Sequence, residues 1–534
     1  MDRLVAGEIS SGAVAAARLT TCHTMKDPLL DTMARGERRH ERVVLAVLVL
    51  LKLGVHLALA TRYGRHGDEY YFIDCGKHLA FGYVDHAPMV PWLAGLSTTL
   101  FGDSLVMLRL PSILAGAASV WLTIVLARRF GANVYGQALA GIAILLAPAY
   151  LRMHGMLDIV AFEPLFWTVA ALLVADIIDG ASPKRWLLVG VVVGLGLINK
   201  HTMLLWGFGM GVGMLATPLR NQLKTPWPWL GAAIALLIVS PNLAWQAAND
   251  WPTVEFVRMM GETVLARIPR QLFLAGQLLY FGIFAVPIWI AGLVYFFSDA
   301  GRRYRVFGVL FVTGIVVLTA THAKPYYSAP LMPMMFAGGG VVLGRWFESR
   351  RAARATYSIA LVGSGVALSL LTLPLLPLST VDATLEKMLG WVVRPRDLTH
   401  DMHNEFGWPE QAEVLADVFE QLAPEERESA TIFTGEYGEA SALNLHGKAY
   451  GLPRATSGHM THYLWGPDET RPGPVVLVGA PAHALATICD RAEEVARIRH
   501  PVAREADVPI HICREHAPLH DVWPELKRYR HGDE

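Results

Sequence analysis

The chain has 534 residues, of which 53% are hydrophobic and 17% charged, against roughly 25% charged in an ordinary soluble protein. Lys+Arg and Asp+Glu each number 46, so the long basic face that nucleic-acid binding requires is not indicated, and nucleic acid is not expected as a partner. Scarce charge combined with apolar runs of membrane-spanning length describes a polytopic membrane protein rather than a soluble globule with a large core.

Residues 1–42 are polar and irregular, without the basic, apolar and small-residue regions of a signal peptide, and read as a disordered cytoplasmic lead-in. A bilayer core about 30 Å thick takes roughly 20 mostly apolar helical residues. About eleven such stretches follow, at 43–60, 105–129, 134–150, 159–178, 186–198, 203–219, 230–245, 272–297, 306–321, 329–346 and 357–376. With the amino terminus inside, every alternate loop must be basic. Those loops carry Arg35 to Arg42, Arg128-Arg129, Lys184-Arg185, Arg220 with Lys224, Arg302 to Arg305, and Arg345 to Arg354. The same rule puts outside the loops 61–104, 151–158, 199–202, 246–270 and 322–328, together with everything after about 378.

The tail, 378–534, is charged and contains histidines. Its short apolar runs 430–434 and 475–479 read as buried strands between Gly/Pro turns, and 411–422 and 483–497 have helical patterns. A small α/β domain on the outer face is expected. The cysteines Cys22, Cys75, Cys489 and Cys513 have no metal-binding spacing. Cys489 and Cys513, both in the tail, are either a disulfide formed in an oxidising compartment or two unlinked buried thiols.

Chemistry-bearing residues gather on the outer side. Gly67-Asp68-Glu69-Tyr70-Tyr71 follows the first stretch and sets adjacent carboxylates at the membrane edge. They are either a helix N-terminus whose acids favour the macrodipole or a general base facing a cavity. Next comes 83–92, with Asp85-His86 turning abruptly apolar. Arg152, His154 and Asp158 lie between the third and fourth stretches, Lys200-His201 at the outer end of the fifth, and 321–327, with Lys324 and Tyr327, beyond the ninth. A lone cation at a helix end is usually an interface anchor. Recurring cations beside carboxylates suit an anionic headgroup, phosphate above all, with an acid to accept a proton. Gly207, Gly209, Gly211 and Gly213 offer a small-residue surface for close helix packing or for lipid.

Several of these pieces together resemble the polyprenyl-phosphate-dependent glycosyltransferases of the GT-C superfamily, specifically the dolichyl-phosphate-mannose protein mannosyltransferase-like group, family 39, over most of 43–377. They are Gly67-Asp68-Glu69, Asp85-His86-Ala87-Pro88, Leu108-Arg109-Leu110-Pro111, Leu157-Asp158, and Lys324-Pro325-Tyr326-Tyr327 ahead of Pro330 and Pro333. Ala87-Pro88 departs from the two prolines common in the family. The largest outer segment is the tail rather than an insertion between later helices, which points toward the bacterial lipid- or envelope-modifying branch. In the tail, 435–440 and 458–467 look like segments of bacterial relatives, and no role is implied for them.

The resemblance implies a multi-spanning inner-membrane enzyme that takes a sugar from a polyprenyl-phosphate carrier and passes it, with inversion, to a lipid, glycan or protein acceptor on the non-cytoplasmic face. It implies Asp68 as the base, with Glu69 as the alternative, and Asp158 holding the acceptor or a sugar hydroxyl. Lys324, Arg152 and Lys200 or His201 are then expected to neutralise the phosphate, with Tyr327 and His86 as further donors and Asp85 in the supporting loop. A phosphomonoester is already a good leaving group and no ligand cluster is evident, so neither metal nor cofactor is expected. The rival from another class is a transporter or lipid flippase. It would be marked by internal repeats and mid-helix charges, whereas the distinctive charges here sit at outer helix ends.

Overall fold

The computed structural model describes residues 28–391, 394–468 and 471–529. Each of the eleven apolar stretches is helical, and six helices are long and apolar enough to cross a membrane: Arg39–Leu59, Leu105–Phe130, Ile159–Ile178, Trp227–Ala248, Arg302–Ala320 and Arg351–Thr372. The expected eleven spans are therefore not all full-length. Helices Val134–Leu146, Arg185–Asn199 and Met203–Ala216 are shorter, and the stretch expected at 272–297 turns through 92° between Arg270–Phe281 and Ile283–Phe297. The bend falls at Gly282, whose φ of +83° suits a residue without a side chain. The stretch expected at 134–150 breaks at Ala147, held extended ahead of Pro148, because a proline disfavours helical backbone in the residue before it.

The first helix runs Pro28–Leu59, so residues 28–42 of the expected disordered lead-in are helical. The rest of that lead-in lies outside the described residues. Leu236, Leu237, Val316 and Ile359 stand exposed on their helices, as hydrocarbon-facing side chains do. Of the glycine stripe, Gly209 and Gly213 lie against Leu310 and Val306, while Gly207 and Gly211 face open space. One side of that helix thus packs closely and the other does not.

At one end of the bundle, Arg129 and Arg185 meet Asp176, Arg129 and Arg303 meet Asp179, and Arg128 lies 3.6 Å from Glu41. These are residues of the loops expected inside, and they share one face. The loops expected outside meet at the other end, under the C-terminal domain.

That domain is built on a five-stranded sheet of order β2-β1-β3-β5-β4: β1 Thr431–Thr434, β2 Ala455–Ser457, β3 Val475–Val478, β4 Glu493–Arg499 and β5 Asp507–Cys513. β1 is parallel to β2 and β3, and β5 is antiparallel to β3 and β4. Side chains alternate across the sheet. Ile432, Val476 and Val478 pack under helices Trp408–Glu420 and Tyr437–His446, while Phe433, Val475 and Leu477 pack against Ala484, Ile488 and Trp523. The expected strands are β1 and β3. The helix expected over 483–497 stops at Ile488, because Cys489 is extended and disulfide-bonded to Cys513 at the end of β5, and 493–499 pairs beside β5 as the edge strand.

Candidate active site

The loop after the first helix is pinned between the bundle and the segment 401–408. Gly67 N–H donates to the Asn404 carbonyl (3.2 Å), and a Cβ on Gly64 would stand 2.2 Å from the Glu405 carbonyl oxygen. No larger residue fits there. Helix Gly67–Lys77 begins at His66, whose Nδ1 accepts the Asp68 N–H (3.1 Å) while the Glu69 carboxylate accepts the His66 N–H (2.9 Å), a reciprocal cap. His66 Nε2 lies 3.2 Å from Asp401 Oδ1.

Adjacent in sequence, Asp68 and Glu69 point to different surroundings. Glu69 is fully buried. Its oxygens accept from Arg109 Nε (2.9 Å) and Nη2 (2.7 Å), from the Leu157 N–H (2.9 Å) and from His66. Burial raises its carboxyl pKa, but Arg109 and these donors outweigh that and hold it below the usual carboxylate range. These four donors take up the lone-pair directions of the Glu69 carboxylate. Asp68 is 31% exposed. Its Oδ1 accepts the Tyr437 hydroxyl (2.7 Å), and its Oδ2 lies 3.6 Å from His66 Nδ1, beyond hydrogen-bond reach.

The cations sort in the same way. Arg152 is committed to the tail, through Nε to Asp401 Oδ2 (2.6 Å) and Nη1 to Glu405 Oε1 (2.5 Å). The guanidinium expected to neutralise phosphate is thus paired with two carboxylates. Lys200 pairs with Glu163 (2.8 Å), which also accepts from Thr202, and stands 4.5 Å over the Tyr327 ring. His201 bonds Asn242 (3.0 Å). Lys324, half-buried at the start of the turn Pro325–Leu331, has no carboxylate within ion-pair distance among the described residues.

Asp158 opens the turn Ile159–Ala161 and accepts the Val160 N–H (3.4 Å). Burial, and next the nearby Asp68 charge, push its carboxyl up to about 7 against the pull of Lys200. Asp85 accepts from Tyr71 (2.8 Å). His86 is buried among Tyr71, Phe72 and Tyr83 with Nδ1 3.1 Å from the Ala87 carbonyl oxygen. Among the described residues no group of three or more His, Cys, Asp or Glu is arranged to hold a metal ion.

Asp401, Glu405 and Tyr437 were not legible as site residues. Arg109 was findable, since a guanidinium within an apolar helix needs a carboxylate partner.

Residues 85–245 match the family described as dolichyl-phosphate-mannose-protein mannosyltransferase. A stretch of 170 residues is 29% identical to an undecaprenyl phosphate-alpha-4-amino-4-deoxy-L-arabinose arabinosyl transferase of Pseudomonas fluorescens. That similarity covers 30% of this chain and 29% of the curated relative, under a third of its length. Among solved structures, ArnT from Cupriavidus metallidurans shares the fold both bound to undecaprenyl phosphate (TM-score 0.57, 16% identity) and in the apo state (TM-score 0.56, 15% identity). Each match covers 88% of this chain and 97% of the other. Residues 85–245 thus resemble the mannosyltransferase family in sequence, and the chain as a whole shares the membrane-protein fold of ArnT. The family match and the arabinosyl transferase similarity each cover about 30% of the chain, and the likeness to ArnT extends over 88% of it.

Proposed function

We propose that the chain transfers a sugar from a polyprenyl-phosphate carrier to an acceptor hydroxyl, with inversion, at the end of the bundle beneath the C-terminal domain. The observation that carries this reading is the contrast between Asp68 and its neighbours. Glu69, Glu163, Asp401 and Glu405 are each bonded to an Arg or Lys, while Asp68 is partly exposed, its Oδ2 3.6 Å from His66 and without a hydrogen bond among the described residues, where Lys324 likewise has no carboxylate within ion-pair distance.

In the reaction, the acceptor oxygen attacks the anomeric carbon as its proton passes to Asp68 Oδ2. The bond from the anomeric carbon to phosphate oxygen breaks, its electron pair leaving with the phosphate, whose added charge Lys324 offsets. Asp158, near half-protonated at neutral pH, can donate to or accept from a sugar or acceptor hydroxyl. The positive charge comes from the protein, so EDTA is expected to leave turnover unchanged. The donor class follows the named relatives, one bound to undecaprenyl phosphate and one named for an undecaprenyl-phosphate aminosugar.

The test is transfer in vesicles from a panel of radiolabelled undecaprenyl-phosphate sugars (4-amino-4-deoxy-arabinose, mannose, glucose, galacturonic acid, arabinose) to envelope lipids. Asp68→Asn is expected to lower turnover by about 100-fold or more, and full activity in that variant rejects the base. The reading also sets the amino terminus in the cytoplasm of a bacterial inner membrane and the site in the periplasm. Tyr450, 48% exposed on the C-terminal domain, supplies the check: Tyr450→Cys is expected to be labelled from outside intact cells, and labelling only after lysis reverses the orientation.

A further inference from the structure

The residue that grips Asp68 comes from the other domain. Tyr437 opens helix Tyr437–His446, 369 positions along the chain from Asp68, and its hydroxyl is the donor on Asp68 Oδ1 at 2.7 Å. The backbone carrying that hydroxyl is held on several sides. Glu439 closes a cap onto the Glu436 N–H (2.9 Å), and Glu436 itself meets His459 (3.1 Å) and Arg528. The Tyr437 ring lies 4.4 Å, centroid to centroid, from Tyr71.

The helix carrying Asp68 is held by the same domain. Asn444 Nδ2 donates to Asp74 Oδ2 (2.8 Å), and Tyr70 Oη lies 2.8 Å from His446 Nε2. Tyr71 Oη accepts the Thr461 N–H (3.1 Å). With both ends of the Tyr437–Asp68 bond fixed, one carboxylate oxygen is committed to the phenol and the other, Oδ2, is the one available to a substrate hydroxyl.

We propose that Tyr437 is a positioning residue that orients the Asp68 carboxylate, so that the C-terminal domain supplies part of the transfer site rather than only covering it. This rests on Asp68 being the base. A purely structural role for Tyr437 would be carried by its ring against Tyr71, which Tyr437→Phe retains.

The experiment compares wild type, Tyr437→Phe, Asp68→Asn and the double variant, full-length in vesicles, with the undecaprenyl-phosphate sugar of the panel above that the wild type turns over. Tyr437→Phe is expected to lower kcat about tenfold, the scale of one hydrogen bond to a charged group, with donor KM unchanged. The acid limb of its pH–rate profile should move to higher pH, because the carboxylate has lost a donor. The double variant should be no slower than Asp68→Asn alone. Difluorotyrosine at position 437, a more acidic phenol of nearly the same shape, should move the acid limb the opposite way, which keeps the test decisive if Tyr437→Phe folds poorly. An inactive Asp68→Asn beside a Tyr437→Phe with wild-type kcat and acid limb overturns the positioning role alone. An active Asp68→Asn, or a wild type that turns over no donor, overturns the base assignment and Tyr437's role with it.

Discussion

Glu405 Oε2 lies 3.2 Å from Arg109 Nη2, joining the C-terminal segment to a membrane helix 296 positions away. Its other oxygen holds Arg152, and Arg109 in turn holds Glu69. Asp401, Arg152, Glu405, Arg109 and Glu69 thus form a row in which carboxylates and guanidiniums alternate. Asp401 is half exposed, and Arg152 and His66 hold its carboxyl well below the usual range. The row locks the tail onto the loop that presents Asp68.

Removing one partner of a buried ion pair leaves the other uncompensated, at a cost of about 3–5 kcal/mol. Glu405→Ala strands both Arg109, 2% exposed, and part of Arg152. It is expected to lower the melting temperature in detergent by several degrees and to speed proteolysis of the C-terminal domain. An unchanged melting curve would show that the row does not lock the domains.

Asp68 and Glu69 separate cleanly under substitution. Asp68→Asn keeps the partly exposed side chain and its contact with Tyr437, so the melting temperature should hold while transfer is lost. Glu69→Gln removes the charge facing Arg109 and one acceptor from a saturated site, so stability should fall together with activity. Measuring melting and turnover on both variants decides between the roles.

Sequence alone could not make that distinction. Neighbouring residues on a helix point roughly 100° apart, so two consecutive acids share a motif but not an environment, and only the docking of 401–408 shows which one is buried. The helical stretches were legible because apolar runs of that length have few other uses. The breaks at Ala147 and Gly282 depend on one residue each and were missed. β4 was misread because the run after His483 has an acceptable helical period, and its true state is set by pairing with β5. The cations looked equivalent in sequence. Arg152 and Lys200 differ from Lys324 only in having Asp401, Glu405 and Glu163 opposite them, the first two contributed by the tail.

Asp158 gives the site a pH dependence whose sign is fixed. Its folded pKa of about 7, raised by burial and by Asp68, lies above the ordinary value of 3.8. Between about pH 4 and 7 the native state therefore binds more protons than the unfolded chain, and this group's contribution to stability falls as pH rises through that window. Melting temperatures taken from pH 4.5 to 8 should decline less steeply in Asp158→Asn than in wild type. If the neutral acid also donates a hydrogen bond to substrate, the alkaline limb of turnover, near pH 7, should flatten in the same variant. Parallel melting slopes in the two proteins would reject the raised pKa.

Lys324 and Arg152 make the sharpest pair of opposites. Among the described residues Lys324 has no ion pair to lose, so Lys324→Met should leave the melting temperature close to that of wild type. Because its charge is proposed to meet the donor phosphate, donor KM should rise and kcat should fall, by about tenfold or more together. Lys324→Arg should recover part of that loss by restoring the charge. Arg152→Met removes a guanidinium bonded to two carboxylates, so its first effect should be on melting, with turnover falling through disorder of the Asp68 loop. Should Lys324→Met keep wild-type donor affinity while Arg152→Met loses it without a change in melting, the phosphate would belong to Arg152, which would then have to release Asp401 and Glu405 when the donor binds.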